Sequence, residues 1–157
     1  IARAIVRARA DAPITRTGQL AEIVRNTYRG GHSSKTDPAT RTFQAIRIQV
    51  NEELDELERG LDGAEIVLAP GGRLAIVAFH SLEDRIVKEF LRTRAGDTPT
   101  VSRHLPAAAT SDTEPTYRLI RRGAQKPSEA ETRRNPRSRS ARLRVAERTS
   151  APSMQGG

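Results

Sequence analysis

Residues 68–92 read LAPGGRLAIVAFHSLEDRIVKEFLR, and the fold class turns on how this stretch is partitioned. Pro70, Gly71 and Gly72 make a sharp turn. The run Leu74 to Phe79 that follows is uninterruptedly apolar, the pattern of a strand buried on both faces of a parallel sheet. Ser81 is then placed to cap a helix whose Ile86, Val87, Phe90 and Leu91 face inward, with Ser81 and Asp84 in capping-box spacing. Helix, tight turn, buried strand and new helix give an α/β crossover unit. In open α/β sheets ligands bind beyond the carboxyl ends of the strands, so function is expected around Phe79 to Arg85. His80 is the candidate there, because nothing in the local pattern gives it a structural task.

Upstream, Ile1 to Ala10 predicts a short helix ended by Asp11 and Pro13, and Thr17 caps a second helix that Gly30 and Gly31 stop. Asp37 and Pro38 mark a strong third start. From there Phe43, Ile46, Val50, Leu54, Leu57 and Leu61 form one apolar stripe at spacings of three and four, predicting a continuous helix to Leu61 that Gly60 and Gly63 weaken. Core packing is the reading adopted for the stripe, over a short coiled-coil seam. A polar stripe of matching period, Thr40, Gln44, Arg47 and Asn51, with Arg41 beside it, occupies another face. Downstream, residues 93–116 lack periodicity and read as a mobile loop. Tyr117–Arg121 and Leu143–Glu147 read as strands, and Ser128–Arg134 as a helix with Ser128 and Glu131 in capping-box spacing. Residues 149–157 are expected to be disordered.

The 157 residues carry a net charge of +8 and no cysteine. One domain's core is within reach of that length. Without cysteine there is no disulfide scaffold and no thiolate metal site, which fits a reducing cytoplasmic setting. His32, His80 and His104 are too scattered for a structural zinc, so no metal is expected. No apolar run approaches the roughly 18 residues of a membrane span. The charge excess is local, since residues 118–148 hold eleven Lys or Arg against three Glu and the remainder balances. Within it Arg133, Arg134, Arg137, Arg139, Arg142 and Arg144 are spaced to track phosphates, the footprint of a nucleic-acid partner or else a solvated tail. Tyr117 is the only aromatic nearby, so base stacking by this segment is not expected.

Two motifs are set aside. Gly30, Gly31, His32 and Ser33 follow a helix, so they lack the strand-to-helix context of a nucleotide-binding loop. Asn135-Pro136-Arg137 lacks the second proline and aromatic of the amino-methyltransferase motif, and a turn explains it.

DPATRTFQAIRIQVNEELDELERGL at 37–61, the stretch at 68–92 and NPRSRSARLRVAER at 135–148 closely resemble the ribosomal RNA small subunit methyltransferase H family, in the same order. The resemblance implies S-adenosylmethionine as donor, the N4 amine of a cytidine in the decoding region of 16S rRNA as acceptor, and a Rossmann-like methyltransferase sheet interrupted by a helical substrate domain. By position it implies that residues 1–35 end that insert and that 36–148 are the C-terminal part of the methyltransferase domain. The family's Gly-rich donor loop and acidic ribose ligand then lie upstream of Ile1, which opens without Met and inside a helix, so no cofactor-binding residue is assigned here. His80 or Asp84 becomes the hydrogen-bond acceptor near the amine. Arg41, Gln44, Arg47 and Asn51 contact flanking RNA, or else pack domains together, and Arg137, Arg139 and Arg142 contact RNA. The partners expected are 16S rRNA and the small ribosomal subunit, with a homodimer left open and no membrane. A non-catalytic basic RNA-binding or ribosome-associated module is the alternative.

Overall fold

The computed structural model describes residues 1–28, 37–97 and 114–154. The chain divides into two compact units, Ile1–Glu53 and Leu54–Gly157. The first is helical: α1 (Ala2–Asp11), α2 (Thr17–Thr27) and α3 (Ala39–Asn51). Its core is Ala21, Val24 and Ala39 with Phe43 packed against them. Alanine at two of these four positions lets the helices approach closely. At α2 the capping group is Gln19, not Thr17: its Oε1 accepts from the amides of Thr15 and Arg16 at 2.9 and 3.0 Å. Asp37 does cap α3, its Oδ1 accepting from Ala39 N at 2.8 Å. The Gly30–Ser33 segment lies outside the described residues.

The expected continuous helix from Pro38 to Leu61 is two. Glu52 adopts a left-handed conformation, φ 51° and ψ 34°, which ends α3, and α4 (Glu53–Val67) begins anew. The stripe's period continues across the break, which is why periodicity alone read it as one element. Val50 is 74% exposed whereas Leu61 is buried, so the stripe serves the two units separately. The compact boundary consequently falls at Glu53–Leu54, and α3 packs with α2. Gly60 and Gly63 do not interrupt α4. Leu57, Leu61 and Glu65 recur every four residues on one buried or half-buried face, and that packing outweighs a propensity cost of about 1 kcal/mol per glycine.

The second unit carries β1 (Arg73–Ala78), α5 (Ser81–Arg94), β2 (Tyr117–Leu119), α6 (Glu129–Arg134), a 3-10 turn (Pro136–Ser140) and β3 (Arg142–Arg148). The strands form one sheet in the order β1-β3-β2. β3 is antiparallel to both neighbours, with Ala75 opposite Val145 and Leu119 opposite Ala146. β1 and β2 therefore run parallel to each other and open at the same edge. The neighbour of β1 among the described strands is thus antiparallel, where an all-parallel sheet was expected. β1 lies at the margin of the described sheet, and it alternates: Leu74, Ile76 and Ala78 turn toward the core while Ala75 and Val77 are exposed. A continuous apolar run does not distinguish a strand covered twice from one covered once when the outer residues are also apolar. The core lies between the sheet and helices α4 and α5, built on Leu61, Val87, Leu91, Tyr117 and Ala146.

Two further expectations are revised. α5 runs through Arg94 and Thr116 is fully buried, so the ends of the supposed 93–116 loop are ordered, while 98–113 lies outside the described residues. The segment after β3 is anchored through Met154: Arg148 Nη1 donates to the carbonyls of Thr116, Thr149 and Ala151 at 3.0, 3.2 and 2.8 Å. Ala151 is buried.

Candidate functional site

The carboxyl edge of the sheet is where β1, β2 and the start of β3 meet. His80 sits there as the N-cap of α5: its Nδ1 accepts from Glu83 N at 3.3 Å, and Glu83 Oε2 accepts from the amides of Phe79 and His80 at 2.9 and 3.2 Å. The capping box expected of Ser81 and Asp84 is thus made one residue earlier, by His80 and Glu83. With Nδ1 accepting an N–H, the neutral ring carries its hydrogen on Nε2. That atom lies 3.1 Å from Glu83 Oε1 but is buried and out of line for a hydrogen bond. As placed, the His80 ring caps α5 and its Nε2 is enclosed.

Asp84 is committed elsewhere. Arg144 grips it in a bidentate pair, Nε to Oδ1 at 2.8 Å and Nη2 to Oδ2 at 3.1 Å, in partly buried surroundings. The pair fastens the first turn of α5 to β3, and planar fork geometry of this kind fixes orientation as well as charge.

On the opposite face of the sheet a cleft of about 610 Å³ opens between the end of β1 and the α6 segment. Val77 and Phe79, 52% and 55% exposed, form its apolar wall with Leu143 and Pro127, and Gln125, Lys126, Glu131, Asn135 and Arg137 supply polar groups. Gln125 is held by backbone bonds in both directions with Leu143, at 2.8 and 2.9 Å. Asn135 Oδ1 accepts from Arg137 N at 3.2 Å, the turn expected at this position, and it aims the 3-10 turn along the rim. Volume and mixed lining match a site for a small molecule or group.

The basic run divides by pairing. Arg133 and Arg134 pair with Glu129 and Glu131, and Arg144 with Asp84. Arg137, Arg139 and Arg142 have no acidic partner among the described residues. Of these only Arg137 lines the cleft. Arg41, Gln44, Arg47 and Asn51 belong to the first unit. Arg47 Nε pairs with Glu53 Oε1 at 2.8 Å and Asn51 Nδ2 donates to the same oxygen at 3.2 Å, so two of the four brace the α3–α4 break; Arg41 is exposed and Gln44 half-buried. Sequence reasoning included Phe79 in the expected site region without assigning it a role, and did not single out Gln125, Lys126 or Glu131. The signal for Phe79 was the period-two continuation Arg73, Ala75, Val77, Phe79 on the outer face.

Among the described residues no group of acidic and histidine side chains could hold a metal ion, and no helix is long and apolar enough to cross a membrane.

The profile of the MraW methylase family matches residues 1–149. This chain belongs to that family. It is 62% identical over its whole length to ribosomal RNA small subunit methyltransferase H of Rhodospirillum centenum, covering 47% of that protein. It is 60% identical over 96% of its length to the protein of the same name from Rhizorhabdus wittichii, covering 46% of it, and 58% identical over its whole length to that of Xanthobacter autotrophicus, covering 44%. The MraW methylase chain therefore spans a little under half the length of these curated relatives. Its cleft, its capping histidine and the unpaired Arg137, Arg139 and Arg142 are features of that part.

Proposed function

We propose that the chain provides the acceptor side of an enzyme that transfers a methyl group from S-adenosylmethionine to the N4 amine of a cytidine in the decoding region of 16S rRNA, in the cytoplasm. The observation that carries this reading is the cleft at the carboxyl edge. An exposed Phe79 face, amide groups on Gln125 and Asn135 and the unpaired Arg137 suit an unstacked base whose backbone stays outside. Membership in a methylase family whose relatives are named for ribosomal RNA supports the reading.

The described residues do not fit the donor. The β1–α5 junction, Phe79-His80-Ser81, has no glycine, and a first-turn amide there is taken by the His80 ring. Gly71 and Gly72 serve a helix-to-strand turn so tight that a Cβ on Gly72 would meet Ala69 O at 2.9 Å. Residues other than these hold the donor. The reading extends to the fold: the three strands belong to a Rossmann-like sheet completed beyond this chain, and residues 1–35 belong to a substrate-recognition insert.

The N4 lone pair of cytosine is delocalised into the ring, so the acceptor must be aligned and lose a proton during transfer. Alignment supplies much of the rate. His80 and Asp84 serve this alignment as positioning residues, His80 by capping α5 at the end of β1 and Asp84 through its pair with Arg144 on β3.

The test uses the complete protein, small-subunit rRNA and methyl-labelled donor, followed by digestion of the RNA to nucleosides. Label is expected on N4-methylcytidine, and Phe79→Asn, at an exposed position, is expected to lower the yield at least tenfold with an unchanged melting temperature. Label on another nucleoside, or full activity in the variant, overturns the assignment. RNA binding with no transfer at all would instead identify a non-catalytic RNA-binding module.

A further inference from the structure

We propose that the groove between α5 and the turn following β2 is a subsite for one phosphodiester group of the bound RNA, an inference that rests on the rRNA reading above. Lys88, Arg92, Arg121, Arg122 and Arg144 line it, against one acid, Asp97. Arg144 is neutralised by Asp84, and Arg92 Nε donates to the carbonyl of Asp97 at 3.2 Å. Lys88, Arg121 and Arg122 have no carboxylate partner among the described residues. Gathering like charges without a counter-charge is unfavourable and is relieved by a bound anion.

Size and position narrow the anion. The groove holds about 160 Å³, well below the ≈ 300–1,000 Å³ of pockets that enclose whole ligands, so it takes a charged group and not a nucleoside. Leu91 and Leu119 contribute to the lining, which lowers the local dielectric and strengthens the attraction. Leu143 lines the base-sized cleft and Arg144, the next residue of β3, lines the groove. Successive strand residues point to opposite faces, so the two sites lie back to back across the same edge. A strand of RNA whose base enters the cleft passes over that edge, and the groove receives a neighbouring phosphate. Arginine pairs suit this task because each presents a fork of donors to phosphate oxygens.

The experiment measures binding of the complete protein to a single-stranded small-subunit rRNA fragment over a salt series. Arg121→Gln/Arg122→Gln is expected to weaken binding at least tenfold near physiological salt and to flatten the slope of log K against log salt by about 0.7, the value for one single-strand phosphate. Arg25→Gln/Arg59→Gln removes the same charge from cations already paired with Asp37 and Glu56 and is expected to leave the slope unchanged. Wild-type binding with an unaltered slope in the Arg121/Arg122 variant overturns the groove and leaves the rRNA reading standing. Absence of both binding and transfer in the wild-type protein overturns both. Stabilisation by inorganic phosphate that disappears in the variant, with RNA affinity unchanged, assigns the groove to a free anion and overturns the RNA assignment.

Discussion

Arg94→Met tests what holds the second unit together. Glu65 is fully buried; its Oε2 accepts from Arg94 Nε at 3.1 Å and its Oε1 from Met154 N at 3.4 Å. Arg94 also reaches Asp62 Oδ1 at 3.1 Å and lies 4.7 Å above the Phe90 ring. Methionine keeps an unbranched stem against Phe90 but strands the carboxylate. Removing one partner of a buried pair costs about 3–5 kcal/mol, whereas the half-exposed Asp62 contact adds at most about 1 kcal/mol. At roughly 2 °C or more per kcal/mol for a chain of at least 150 residues, thermal unfolding of the complete protein should fall by about 6 °C or more. Adding Glu65→Gln to Arg94→Met removes the stranded charge and is expected to recover most of the loss. The reasoning is refuted if Arg94→Met costs under about 1 kcal/mol, or if the double variant is no more stable than the single one.

Tyr117 is buried, its hydroxyl finds no hydrogen-bond partner among the described residues, and burial, reinforced by the charge of Glu65, raises its pKa above the usual 10. The stability this contributes is present below pH 10 and is lost as pH rises toward the folded value. Tyr117→Phe should therefore be neutral to stabilising by about 1 kcal/mol at pH 7, with a flatter alkaline limb in a pH series of unfolding midpoints; a loss of stability at neutral pH would show that the hydroxyl is satisfied. His80→Ala removes the cap of α5 and should cost about 1 kcal/mol, while His80→Asn keeps a capping group and should keep the melting temperature; equal methylation by wild type and His80→Asn would confine His80 to capping. Glu147 lies between Arg118 and Arg73 across three strands, and bonding to Arg118 foremost holds its carboxyl below the usual range. That contribution is present above the ordinary glutamate pKa and lost as pH falls through the depressed value, so Glu147→Gln should flatten the acid limb of the same series, and an unchanged limb would count against the cross-strand pairing.

The element inventory was largely legible. The starts of α3 and α6 followed from Asp37 and from Ser128, whose Oγ accepts from Glu131 N at 3.1 Å, because capping is a local backbone requirement met within three residues. The strand-to-helix junction after β1 was legible, since an apolar run followed at once by a capped helix must turn there. The Glu52 break escaped notice because it leaves the apolar period unchanged. The local contacts of His80 and Asp84 were not legible either. A histidine that caps and an aspartate paired with a residue 60 positions away look, in sequence, like unemployed functional groups.

Sequence alone determined the family resemblance, the α/β alternation around residues 68–92 and the concentration of positive charge between 118 and 148, since each is a property of neighbours along the chain. Only the tertiary structure decided that β1 takes an antiparallel neighbour in β3, that half of the arginine run is neutralised by local acids and by Asp84, and that Phe79 faces outward into a cleft. Those outcomes depend on the antiparallel insertion of β3 between β1 and β2, a pairing between segments some 70 residues apart whose register no local pattern encodes.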